Sequence, residues 1–220
     1  MDNRLSSAQF LRLLELACAD MEAAQEELRE LDARAGDGDL GVTVKLGFQA
    51  VRERLPQAVG EDIGGVLLKS GAVFNTAGAS TFGTLMATML LRAGRVAKGV
   101  TAVGLKDLAG MAAAAVDGVR ERGKASPGER TMLDALIPAR DQLAKCGERG
   151  ESLVQALTSA ARAAEEGAHS TAEMQPHHGR AGWLGDRTRG VPDAGAVAVA
   201  KLLRTFADHV AREEENTHEA

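Results

Sequence analysis

Three aspartates, Asp32, Asp37 and Asp39, stand within eight residues of one another in the stretch LDARAGDGDLG, with small residues at most positions between them. Three carboxylates on one tight turn repel one another unless a cation lies between them. Mg²⁺ is a hard ion that takes oxygen ligands and commonly links protein carboxylates to phosphates. Asp is also a frequent turn former, so a solvated acidic turn accounts for the same residues. Spacing alone leaves both readings open. An EF-hand is excluded, because its closing position holds Phe48 in place of Glu.

Three further stretches bring glycine together with polar groups that suit an anion. GASTFGT, from Gly78 to Thr84, offers hydroxyls and free backbone just before an apolar helical run. Helix N-termini bind anions through unpaired N–H groups, although an ordinary Ser/Thr cap explains the same residues. SPGERTMLDAL gives a turn and then Thr131 with Asp134 three residues on, a capping box with Asp in the place of Glu. GRAGWLGDRTRGVPDAGA carries Arg180, Arg187 and Arg189 among glycines, and the Arg fork suits phosphate. His169, His177 and His178 lie just upstream in no zinc-like spacing, which predicts a surface position.

Two familiar nucleotide signatures occur and fail. Gly36, Gly38 and Gly41 spell G-x-G-x-x-G, but a long amphipathic helix precedes them where a strand is required. Gly118, Gly123 and Lys124 spell G-x-x-x-x-G-K, but Ala125 stands where Ser or Thr must bind Mg²⁺.

The elements around these loops read as helices. Phe10, Leu14, Ala17, Met21, Ala24, Leu28 and Leu31 recur at steps of four and three, which predicts one continuous helical face capped by Ser6 or Ser7 and ending at Leu31, with Asp32 immediately after it. Further helices are expected through VTVKLGFQAVRERL, from about Glu61 to Phe74, and through FGTLMATMLLRAG. LKDLAGMAAAAVDGVRERG, TMLDALIPARDQLAKCG, SLVQALTSAARAAEEGAHS and AGAVAVAKLLRTFADHVAREEE complete a set of about eight helices, with no strand. The expectation is an all-α fold forming a single domain over residues 1–220. Composition agrees: with no Tyr, one Trp and five Phe, burial falls to Ala, Leu and Val, and Ala and Leu are strong helix formers.

The net charge of -5, without a block of Lys or Arg, argues against nucleic acid as partner. No apolar run approaches the ~20 residues of a membrane span. The N-terminus lacks a signal-peptide apolar region, so a cytoplasmic location is expected. Cys18 and Cys146 are far apart in helical patterns and read as small buried hydrophobes.

Taken together and in order, the four loops resemble the L subunit of dihydroxyacetone kinases and the homologous C-terminal domain of the fused enzymes. The resemblance runs from about Phe10 to Phe206. It rests on Asp32 with GDGDLG, on GASTFGT, on PGERTMLDAL, and on GRAGWLGDRT followed by DAGA. What it implies is an antiparallel barrel of eight helices with a nucleotide, ADP or ATP, at one end. Asp32, Asp37 and Asp39 would hold two Mg²⁺ ions that bridge to its phosphates. Gly78, Ala79, Ser80, Thr81, Thr84, Gly123, Thr131, Met132, Arg180, Asp193 and Gly195 would line the nucleotide site. The chain would supply the phosphoryl group, while a separate K-type subunit holds the hydroxyketone on a histidine of its own; no catalytic residue is expected here. The phosphate source stays open between ATP and a phosphotransferase-system phosphodonor protein, as does a homodimer. A non-catalytic nucleotide-binding regulatory or adaptor module is the alternative. The chain departs from the family in having Leu40 where His is usual, a glycine–serine loop about two residues shorter, and Asp193-Ala194-Gly195 in place of D-P-G.

Overall fold

In the computed structural model, residues 3–178 and 188–218 are described. Among them are nine α-helices: α1 (Ser7–Ala23), α2 (Gln25–Ala33), α3 (Leu40–Arg54), α4 (Ile63–Ala77), α5 (Thr81–Val96), α6 (Leu105–Gly123), α7 (Leu133–Arg149), α8 (Leu153–Ser170) and α9 (Ala194–His218). Eight of them close a ring. α1 packs on α3, each helix from α3 to α8 packs on the next, and α9 returns to α1. Short connections make most successive helices antiparallel. The expected all-helical barrel is therefore present, with α2 as an additional short helix laid against α3 and α9.

Two details differ from the sequence reading. The first helix is broken: Ala24, at φ -75° and ψ 1°, ends α1, and α2 begins at the next residue. No Pro or Gly marks this point, and the apolar spacing runs straight through it, so periodicity could not reveal the break. Among the described residues there are also two three-residue strands, β1 (Arg4–Ser6) and β2 (Ala102–Gly104). They pair antiparallel with Leu5 opposite Val103, tying the N-terminal segment to the α5–α6 connection. Three residues are too few for an alternation to show.

The caps are local and specific. Ser6 accepts the N–H of Gln9, whose side chain accepts the N–H of Ser6 in return, and Ser152 and Gln155 repeat this at α8. A single hydrophobic cluster fills the barrel, with Phe48 and Phe74 edge-on at 5.1 Å between ring centres. On α8 the buried face is mostly alanine (Ala156, Ala160, Ala161, Ala164 and Ala168), and small side chains let neighbouring helices approach closely. Cys18 and Cys146 are free and buried, and burial raises both thiols above their ordinary range. No helix among the described residues is long and apolar enough to cross a membrane.

This architecture puts the unusual loops together. The connections α2–α3, α4–α5 and α6–α7, and the described residues between α8 and α9, follow alternate helix ends and so lie at the same end of the ring.

Candidate nucleotide and metal site

At that end lies a cavity of about 320 Å³. The α2–α3 loop contributes Asp32, Asp37, Asp39 and Leu40; the start of α5 contributes Ser80, Thr81, Phe82 and Leu85. Arg130, Thr131 and Met132 come from the α6–α7 turn, and Asp193, Ala194 and Gly195 from the start of α9.

The acidic wall is built by the helix ends. Asp32 lies in the last turn of α2, and its main-chain carbonyl accepts the N–H of Gly36 at 2.6 Å, folding the chain back. Gly38 takes the left-handed conformation (φ 75°), which turns the chain between Asp37 and Asp39. Asp39 is the residue before α3, and the Asp32 carboxylate accepts the N–H of Leu40 at 3.2 Å. One carboxylate oxygen from each of Asp32, Asp37 and Asp39 lies within 4.8 Å of the others. All three donors are hard oxygens, and small side-chain adjustments bring such a set onto a divalent cation. The residues therefore fit Mg²⁺ by donor type and by spacing.

The N-terminus of α5 lines the same cavity. Ser80 caps it by accepting the Gly83 N–H at 3.0 Å, leaving first-turn N–H groups at the cavity edge. A Cβ at Gly83 would overlap the carbonyl oxygen of Gly78, so the turn closes only because residue 83 is glycine. Such a helix start attracts anions through its N–H groups and its dipole.

The third wall is tied by Asp134. Its carboxylate accepts Gly128 N–H at 2.6 Å and Thr131 N–H at 2.8 Å. Half of the expected capping box forms, since the Thr131 hydroxyl accepts from Leu133 and not from Asp134. Beside it, Arg130 is 4% exposed and has φ 59°. A left-handed non-glycine residue costs roughly 1–2 kcal/mol, so its surroundings must hold it there. Desolvation lowers the Arg130 pKa, and its Nε is buried without a hydrogen-bond partner.

On the fourth wall, Asp193 starts α9. Its Oδ2 accepts the N–H of Ala196 at 2.7 Å, and its own N–H donates to the Thr171 hydroxyl at 2.7 Å. The residue keeps some surface, but its carboxyl group is enclosed, and burial pushes its pKa up to about 6. The nearby Asp134 and Asp32 act in the same direction, whereas the Ala196 N–H and Arg130 oppose it.

Of the residues singled out from sequence, Asp32, Asp37, Asp39, Ser80, Thr81, Thr131, Met132, Asp193 and Gly195 line this one cavity. Gly78 caps the end of α4 behind the lining, with Ala79 beside it in the same turn, and Thr84 lies one turn into α5. Gly123 ends α6, where an added Cβ would sit 3.4 Å from Leu85. Arg180 lies outside the described residues. Sequence reading missed Arg130, Leu85 and His178, whereas Phe82 falls inside the marked loop from Gly78 to Thr84. His178 does lie partly at the surface, as expected, but it also lines the cavity and pairs with Glu129 at 2.6 Å. Arg130 stood beside two chosen residues; a long cation in a glycine turn was the available signal.

Comparison with known proteins identifies the family and the fold. Residues 34–208, well over half of the chain, match the DAK2 domain. The ADP-binding subunit DhaL of the PEP-dependent dihydroxyacetone kinase of Escherichia coli (strain K12) is 35% identical over 204 residues, covering 92% of this chain and 97% of that protein. The L-erythrulose 1-kinase of Mycolicibacterium smegmatis is 35% identical over 92% of this chain, but the match spans only 35% of that longer protein. The human triokinase/FMN cyclase is 33% identical over 91% of this chain and 35% of its own length. The crystal structure of the dihydroxyacetone kinase from C. freundii in complex with AMP-PNP and Mg²⁺ superposes with a TM-score of 0.70 at 24% identity, covering 92% of this chain and 34% of that one, which supports the fold. By its sequence match and its ring of helices, the chain belongs to the DAK2 domain family, and the ADP-binding DhaL subunits of dihydroxyacetone kinases are among its relatives.

Proposed function

We propose that this chain is the Mg²⁺- and nucleotide-binding, phosphoryl-donating subunit of a kinase for dihydroxyacetone or a related small hydroxyketone, acting with a separate K-type subunit that holds the substrate. The observation that carries this reading is the lining of one cavity by three clustered carboxylates together with the N-terminus of α5. Asp32, Asp37 and Asp39 hold the cation or cations, two in the reading taken from the family. A bound cation neutralises the phosphate charge; the α5 start, Thr131, Met132 and Gly195 bind and orient the nucleotide. Phosphoryl transfer needs little covalent help from protein, because positioning and charge neutralisation dominate. The 35% identity to the E. coli ADP-binding subunit, over 97% of that protein, supports the nucleotide-binding role. The kinases for dihydroxyacetone and erythrulose among its relatives support a hydroxyketone substrate.

One observation favours the non-catalytic adaptor instead. Leu40, buried at 6% exposure, gives the metal wall an apolar side chain where the family usually has His. Both readings are tested together. The purified chain is expected to bind Mg·ADP and to phosphorylate nothing alone. Product is expected once a K-type subunit and either ATP or a phosphotransferase-system donor are added. Turnover by the isolated chain overturns the division of labour. Binding without turnover in any mixture selects the adaptor.

A further inference from the structure

Two consecutive residues of the α6–α7 turn reach across to the two residues that flank 179–187 in the sequence. Glu129 pairs with His178 at 2.6 Å, and Arg130 engages Thr188. The two contacts differ in kind. Glu129 and His178 keep side-chain exposures of 31% and 39%, where an ion pair contributes little. Arg130 and Thr188 are buried. Arg130 Nη1 donates to the Thr188 hydroxyl, and Nη2 donates to the carbonyls of Thr188 at 3.0 Å and Val191 at 2.7 Å. A buried guanidinium is expensive unless its donors are used; here Nε finds no partner, and both terminal nitrogens bond one segment, at the Thr188 hydroxyl and the carbonyls of Thr188 and Val191. That segment leads within two residues to Asp193, which starts α9 and lines the cavity. On the other side, Arg130 is followed directly by Thr131 and Met132, also in the lining.

We propose that Arg130 is a positioning residue: it clamps residues 188–193 to the α6–α7 turn and so sets the span between the Thr131–Met132 wall and the Asp193–Gly195 wall. Its left-handed backbone serves this, since the side chain engages 188–191 while the next two residues enter the cavity lining. The consequence for nucleotide rests on the function proposed above; the clamp itself does not.

Three measurements on the full chain test it. The first is amide hydrogen exchange, without ligand, at Gly190, Val191 and Asp193, which donate to the Ala172 carbonyl, the Thr188 carbonyl and the Thr171 hydroxyl. The others are titrations with Mg·ADP and with Mn²⁺ alone. Arg130→Met is expected to speed exchange at these amides and to weaken Mg·ADP, each by roughly tenfold or more, as loss of charged hydrogen bonds implies. Mn²⁺ affinity stays unchanged, because the aspartate loop belongs to other helices. Arg130→Lys, whose three donors sit on one nitrogen and cannot reproduce the spacing of Nη1 and Nη2, falls between and provides the comparison if Arg130→Met does not fold. Glu129→Gln changes little. Unchanged exchange in the Arg130 variants overturns the clamp. Faster exchange with wild-type Mg·ADP affinity overturns the positioning role. If the wild type itself binds no Mg·ADP, the nucleotide reading and its positioning role fall, while the exchange result still decides the clamp.

Discussion

Asp32, in the last turn of α2, accepts the backbone N–H of Leu40, the first residue of α3, at 3.2 Å. This bond closes the aspartate loop upon itself and holds the carboxylates at the N-terminal end of α3, where the helix dipole favours negative charge. Because the donor is backbone, the side chain at position 40 is not needed for it. Leu40 can therefore stand in the place of the family's usual His without opening the loop. The substitution changes what the wall offers a ligand and leaves the geometry of the aspartates intact.

Gly83→Ala probes the α5 wall of the same cavity. The new methyl group would overlap the Gly78 carbonyl, which belongs to rigid backbone, so the α4–α5 turn must open. Overpacking of this kind typically costs ~1–3 kcal/mol, or several degrees in melting temperature for a chain of this size. Mg·ADP affinity is expected to fall along with the melting temperature, because the α5 start moves. A variant that melts and binds like wild type would show that this turn does not shape the site.

Asp193 should give the metal-free protein a pH-dependent stability. Its carboxyl is raised from the ordinary 3.8 to about 6, so folding favours the protonated form. The contribution is complete below the unfolded value near 4 and is lost as pH rises through about 6. The melting-temperature difference between wild type and Asp193→Asn, measured in EDTA, should move against wild type across that window and level off above it. A difference independent of pH between 4 and 7 would contradict this assignment.

Much of this was legible in the sequence, for identifiable reasons. Helices α6 to α9 follow from apolar spacing and caps, and α6 runs over the very residues that the pattern marked, ending at Gly123. The aspartates and the GASTFGT loop stood out because glycine beside Asp, Ser or Thr is chemically unusual. Three things did not show. The break at Ala24 involves no breaker residue, since tertiary packing bends a helix that local propensity would continue. The short β1–β2 pairing joins segments about a hundred residues apart. Arg130 acts through long-range bonds to Thr188 and Val191; the sequence shows a long cation in a glycine turn but not those partners.

The central claim is that Asp32, Asp37 and Asp39 ligate the cation that carries the nucleotide. It is tested most directly by titrating Mg·ADP into wild type and Asp37→Asn by calorimetry at the same Mg²⁺ concentration. Removing one anionic ligand from a hard-cation site should weaken binding by roughly tenfold or more, with the fold unchanged by circular dichroism. Equal affinity in the two proteins would contradict the metal assignment, and with it the main support for reading this chain as a kinase subunit.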